Sequence, residues 1–172
     1  AALIAVCSVL PAVNLSVFAP ITLQTFGVLL AGAVLGARRG ALAVLLWVLV
    51  GAVGLPVFAN GKAGLPVLVG PTGGYILGFV IGAAIIGAVA TVAVRRAGRG
   101  TVWVLTAGGL LALLVVHAAG IVGLHLRAGL GWQAAATVDG AFWIGDLVKL
   151  AATVLVAGAV HRAFPDLLRR RT

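Results

Sequence analysis

Acidic side chains are nearly missing from this chain: three in 172 residues, against twelve Lys and Arg, with charged residues only 9% of the whole. Soluble domains carry about a quarter, so a surface that faces water on all sides is excluded. What fills the space is apolar: 63% hydrophobic residues and a mean hydropathy of +1.25. A soluble domain of this size leaves roughly a third of its chain surface exposed, more than such a composition can hide. Lipid is the expected solvent.

Other absences narrow the chemistry. Cys7 is the only cysteine, which removes an intrachain disulfide and any CxxC pair and leaves a small buried hydrophobe as its reading. The two serines, Ser8 and Ser16, lie outside any GxSxG pattern. HExxH is missing, and His117, His125 and His161 form no metal-like cluster; a histidine on an apolar span is expected to bond a backbone carbonyl or a neighbour. In "ANGKAG" Ala63 follows Lys62 and Gly54 is too distant for a Walker A loop, so no ATP site is expected. Asp139 and Asp146 resemble a carboxylate dyad, but Lys149 beside one of them favours a charged aspartate over a shared proton. The chain is not expected to be an enzyme.

The net charge of +9 raises nucleic acid as a partner. A phosphate-binding face needs its cations on one surface with aromatics between them, whereas here they fall in short clusters between apolar runs, so none is expected. The start "AALIAV" has neither Met nor a basic n-region and is read as an incompletely covered first span rather than a signal peptide.

About 20 apolar residues cross a bilayer. By that measure six segments stand out, about 1–15, 21–37, 41–55, 73–94, 101–125 and 139–161. The expected fold is an all-α integral membrane protein: one membrane domain over 1–172, a bundle of six transmembrane helices with a long outer loop between helices 3 and 4. "ARRG" (37–40), "RRAGR" (95–99) and the tail from 161 hold nine of the twelve Lys and Arg, and the alternate loops hold only Lys62 and Arg127. The cation-rich side is cytoplasmic. Both termini are then cytoplasmic, residues 162–172 form a basic cytoplasmic tail, read as a stop signal for the last span ahead of a lipid or subunit contact, and 54–72 faces outward. Gly74, Gly78 and Gly82, like Gly32 and Gly36, recur at every fourth residue, a spacing that lets helix backbones approach. Ala1 and Ala5 form a similar stripe, expected to face another subunit.

Within this apolar frame a few polar groups stand out. Asp146 and Lys149 sit three residues apart inside the last span, on one helix face, where each charge costs roughly 2.5–3.5 kcal/mol near mid-bilayer. An internal salt bridge neutralises them, yet apolar residues serve stability as well or better, which favours a ligand site. Counted from a start near 139 at about 1.5 Å per residue, both lie in the outer half of the span. In "GLPVFANGKAGLPVLVGPTGGYILG" (54–78), Pro56, Pro66 and Pro71 forbid a continuous helix. Irregular backbone at membrane depth survives only against protein or a cavity, so a lid or re-entrant loop over a pocket is expected. Thr72 stands at a helix start, as an N-cap or beside backbone amides that hold an anionic or carbonyl group, with Tyr75 aimed at the same region. In "PITLQTF" (20–26) capping accounts for Thr22, whereas Gln24 is a full donor and acceptor pair in an apolar span.

Taken in order, "APITLQTFGVLLAGAVLGARRGALAVLLWVLVGAVGLPVFA", "GLPVLVGPTGGYILGFVIGA" and "GDLVKL" resemble the BioY family, the biotin-specific S components of energy-coupling factor (ECF) vitamin transporters, from about residue 19 to 152. The resemblance implies a six-helix protein of the bacterial cell (inner) membrane that captures biotin from outside and passes it inward with an ECF module, a transmembrane coupling subunit and two ATPases. Biotin is then the transported ligand, and no cofactor is implied. Carried over by motif, Asn60 in "VFAN" and Asp146 and Lys149 in "GDLVK" would contact the ligand, and Tyr75 belongs to "GPTGGY". Asp146 would accept from ureido N–H groups, Asn60 would donate and accept, and Trp143, Phe58 and Tyr75 would cover the ring system; Lys149 would pair the biotin carboxylate or hold Asp146 ionised. "AFWIGD" departs from the family's usual "P-F-x-P-G-D" at Trp143 and Ile144, which changes the shape of the last helix's entrance. Two alternatives stay open: an S component for another vitamin such as thiamin or riboflavin, and a stand-alone secondary transporter using Asp146 as an ion site.

Overall fold

In a computed structural model, residues 1–10, 22–96 and 100–168 are described, without the side chains of 95 and 96. Among them seven α-helices and one 3-10 turn occur and no strand: α1 Ala2–Val9, α2 Gln24–Leu35, α3 Ala37–Ala52, α4 Leu65–Val69, α5 Gly73–Arg96, α6 Thr101–Ala128 and α7 Trp132–Ala163. Three of them, α5, α6 and α7, are long and apolar enough to cross a membrane.

Several boundaries differ from those read in the sequence, each for a local reason. "ARRG" is no break: Gly36 at φ 82° turns the chain in one residue, and Arg38 and Arg39 already lie in the first turn of α3. The turn between α6 and α7 is only Gly129–Gly131, with Gly129 left-handed, so α7 starts seven residues before the expected 139. The intervening "QAAATV" is rich in good helix formers, and Asp139, the first residue of the expected span, is buried inside the helix. The end of the first span at 11–15, the basic cluster at 97–99 and the Arg-rich end of the tail, 169–172, lie outside the described residues.

The glycine stripe packs as its spacing predicts. A Cβ on Gly74 or Gly78 would meet α6 backbone at Ala119, Gly123 or Val116, so α5 and α6 touch backbone to backbone. Gly32 meets the Ala83 carbonyl in the same way and joins α2 to α5. Two apolar cores result. Leu29, Ile86, Leu113, Leu150 and Val154 fill the space between α2, α5, α6 and α7; Ile4, Val28, Val44, Trp47 and Phe79 fill that between α1, α2, α3 and α5. Ala1 and Ala5 are partly buried against this second core rather than on an open face. The outer surface stays apolar: Leu46, Leu111, Ile144 and Leu155 are all exposed, as a lipid solvent requires.

Residues 54–72 are broken as the prolines demand. They hold the 3-10 turn Ala59–Gly61 and the five-residue α4, which starts with Pro66 in its first turn. Phe58 anchors the segment. Its ring packs against Gly51, where a Cβ would collide with it, and meets Trp47 edge-on at 5.2 Å. The Trp47 indole N–H donates to the Val57 carbonyl at 2.9 Å, and the Gly64 N–H to the Gly51 carbonyl at 2.7 Å. A third tie runs from the Arg127 guanidinium at the end of α6 to the Leu68 carbonyl.

Candidate functional site

The broken segment covers a cavity of about 310 Å3, at the small end of the range for ligand pockets. Its apolar wall is Ile76 and Phe79 from α5, Val116 from α6 and Phe142 from α7. The cover is supplied by Phe58, Ala59, Pro66, Val67 and Pro71. Polar groups enter from three directions: Thr22, Gln24 and Thr25 at the start of α2, Lys62 and Thr72 from the cover, and Tyr75, Asp146 and Lys149 from α5 and α7.

The floor is ionic. Lys149 Nζ donates to Asp146 Oδ1 at 2.7 Å, and both side chains are buried. Behind Asp146 the chain of polar groups continues away from the cavity. His117 Nε2 faces Asp146 Oδ2 at 3.4 Å, while its Nδ1–H donates to Asp139 Oδ1 at 2.8 Å. Asp139 also accepts from the Tyr75 hydroxyl at 2.8 Å and from the Trp143 indole N–H at 3.2 Å. The Trp143 ring stacks on His117 with centroids 4.3 Å apart. Four polar side chains from α5, α6 and α7, His117, Asp139, Tyr75 and Trp143, thus back the Asp146 carboxylate, and Lys149 holds it from the side.

Local sequence explains each position. Asp139, Trp143 and Asp146 are spaced i, i+4, i+7, one face of a helix, and Lys149 follows a turn later. Gly120 lets the Tyr75 ring lie on α6, because a Cβ there would run into it; Phe142 then meets Tyr75 edge-on at 5.8 Å. Thr22 Oγ1 accepts from the Gln24 backbone N–H at 3.2 Å from one residue before the N-cap position, which falls on Leu23, and also lines the cavity. The Thr72 carbonyl accepts the Ile76 N–H in the first turn of α5.

Of the residues singled out from sequence, Gln24, Thr72, Tyr75, Asp146 and Lys149 share the one cavity. Asn60 and Trp143 are not on its wall. Asn60 is exposed at φ 56° in the turn between Ala59 and Lys62, and Trp143 stacks behind the site on His117 rather than over it. With α7 beginning at Trp132, Asp146 lies about midway along the helix, deeper than a start at 139 implies. Sequence reasoning expected His117 to bond a carbonyl or a neighbour, as it does with Asp139, but did not assign it to the site and did not foresee Asp139's burial. The seven-residue interval between the two aspartates was a usable signal; that His117 stands between them was not, since it arrives from another helix. His125 and His161 do bond carbonyls, of Leu130 at 2.7 Å and Ala33 at 2.9 Å.

A buried ion pair braced by further polar groups, beside a covered cavity, adds little stability and is a candidate ligand site in an apolar protein. It can offer a fixed carboxylate to N–H donors, an ammonium to acceptors and apolar rings to a hydrocarbon body. Comparison with known proteins gives the family. The sequence pattern described as the BioY family matches residues 1–166. A protein of Rhizobium etli named biotin transporter BioY is 38% identical over 174 residues, covering 99% of this chain and 93% of that protein. Its namesake in Rhodobacter capsulatus is 41% identical over 184 residues, covering 99% and 94%, and that of Thermotoga maritima 43% identical over 138 residues, covering 80% and 78%. The crystal structure of the S-component for biotin from an ECF-type ABC transporter superposes with a TM-score of 0.84 over 94% of this chain and 86% of that one, at 24% identity, and shares the fold. With a family pattern matched along nearly the whole chain, and relatives of such identity aligned almost end to end, the chain belongs to the BioY family.

Proposed function

We propose that this chain is the high-affinity biotin-binding membrane subunit, the S component, of an ECF-type ABC vitamin uptake transporter. The observation that carries the reading is the buried Asp146–Lys149 pair opening on a covered cavity of about 310 Å3, in a chain whose relatives are named biotin transporters. Biotin is the transported ligand and not a cofactor. Its ureido group carries two N–H donors, which suit the Asp146 carboxylate, and its thioether ring and alkyl tail suit Ile76, Phe79 and Phe142. Tyr75, Thr72 and Gln24 complete the polar contacts, Asn60 acts from the cover, and Trp143 acts through His117 and Asp139.

The protein sits in the bacterial cell (inner) membrane as a single domain of six spans, both termini cytoplasmic and 54–72 outermost. Support comes from the distribution of Lys and Arg and from three long apolar helices. Biotin enters from outside past the 54–72 cover and leaves inward. The chain is no enzyme and has no ATPase site of its own; energy comes from an ECF module of a transmembrane coupling subunit and two ATPases. Residues 162–172 act as a stop signal for the last span. The test is uptake of labelled biotin by cells producing the chain with and without an ECF module. Uptake that requires the module is expected. Equal uptake without it would favour a stand-alone ion-coupled transporter instead.

A further inference from the structure

Two lysines line the cavity, and only one is engaged there. The Lys149 ammonium is held on Asp146 Oδ1 at 2.7 Å, so that pair is neutral, and an anion brought to Lys149 also meets the Asp146 carboxylate, a like charge. Lys62 lies on a different wall, in the cover. A tight turn fixes its backbone: the Phe58 N–H donates to the Lys62 carbonyl at 3.0 Å, and the Lys62 N–H to the Ala59 carbonyl at 3.2 Å. Asn60 and Gly61, at φ 56° and 68°, reverse the chain between them. Phe58, buried against Trp47, ties the base of that turn to α3. The Lys62 side chain is exposed, and no ion pair among the described residues engages it.

The cavity is therefore polar at both ends and apolar between them. Its buried floor presents a carboxylate that accepts hydrogen bonds, its rim presents an ammonium, and Ile76, Phe79, Val116 and Phe142 lie along the way. An elongated ligand with N–H donors at one end and a carboxylate at the other has one direction that satisfies both ends. We infer that Lys62 receives the carboxylate of the bound ligand at the rim and so sets its orientation, ring end toward Asp146 and tail toward the cover. The inference rests on the biotin reading and goes further, assigning a specificity-determining residue outside the quoted family motifs. Ligands with a neutral tail lose this contact, which gives the site a preference for the free acid.

The test compares biotin with biotin amide, in which a neutral carboxamide replaces the carboxylate, by calorimetric titration of the full chain in detergent. Lys62→Gln binds biotin about tenfold more weakly than the unmodified chain, the size of a solvent-exposed charge-assisted bond, and leaves affinity for the amide unchanged. Lys62→Arg restores biotin binding, and Lys62→Glu weakens it beyond Lys62→Gln. Lys149→Gln weakens both ligands alike, because Lys149 acts at the ring end through Asp146. Equal effects of Lys62→Gln on both ligands, or none on either, overturn the assignment while the biotin reading stands. Absence of biotin binding by the unmodified chain overturns both.

Discussion

His117 bridges two aspartates that lie two helical turns apart on α7: its Nδ1 is 2.8 Å from Asp139 Oδ1, and its Nε2 faces Asp146 at 3.4 Å. The imidazole does not line the cavity, yet it bears on the carboxylate that does. Replacing His117 by Asn, or Asp139 by Asn, loosens Asp146 from behind and lowers ligand affinity by about tenfold, the worth of one buried charge-assisted bond. The two substitutions act on one interaction, so their effects in the double variant fall short of additive. Titration of the two single variants and the double variant measures this. Strict additivity contradicts the network.

Asp146 and Lys149 respond differently although they form one pair. Asp146→Asn keeps a hydrogen-bond acceptor but removes the charge that Lys149 and His117 face; ligand affinity falls by about two orders of magnitude, the upper part of the range for such bonds. Lys149→Ala leaves a buried carboxylate without its ammonium, which costs about 3–5 kcal/mol of stability. Thermal unfolding in detergent is expected to show the larger drop for Lys149→Ala and titration the larger loss for Asp146→Asn.

Gly120 is the seat of the Tyr75 ring. Gly120→Ala drives a methyl group into that ring, displacing the hydroxyl from Asp139 and the ring from the cavity wall. Overpacking of this kind costs about 1–3 kcal/mol. Tyr75→Phe in the Gly120→Ala background tests the route: with the hydroxyl already gone, the added methyl has less binding left to remove. A Gly→Ala change at Gly140, where a Cβ meets nothing within 4 Å, leaves affinity unaltered.

Much of the fold was legible because membrane helices announce themselves by composition. The spans 73–94 and 101–125 correspond to α5 and α6, and the glycine stripe from Gly74 identified its packing face. The break at 54–72 followed from three prolines. The boundaries that moved were set by single backbone events, Gly36 and Gly129 turning at positive φ, which allow helices to abut where charge clusters suggest loops. At the site, Asp146, Lys149 and Tyr75 stood out because a polar group in hydrocarbon demands a reason. His117 carried the same signal, but a partner on another helix cannot be read from spacing along one. Asn60 entered through motif resemblance and Trp143 as an aromatic neighbour expected to cover the ligand's rings; their side chains lie off the cavity wall, one in the cover and the other behind the site.

The most direct test of the central claim is calorimetric titration of the purified chain alone, in detergent, with biotin and then with thiamin and riboflavin. The account predicts tight biotin binding, about nanomolar in Kd or about 12 kcal/mol, without any partner subunit, and no heat from the other two vitamins. A folded sample that binds none of the three, or prefers thiamin or riboflavin, would contradict it.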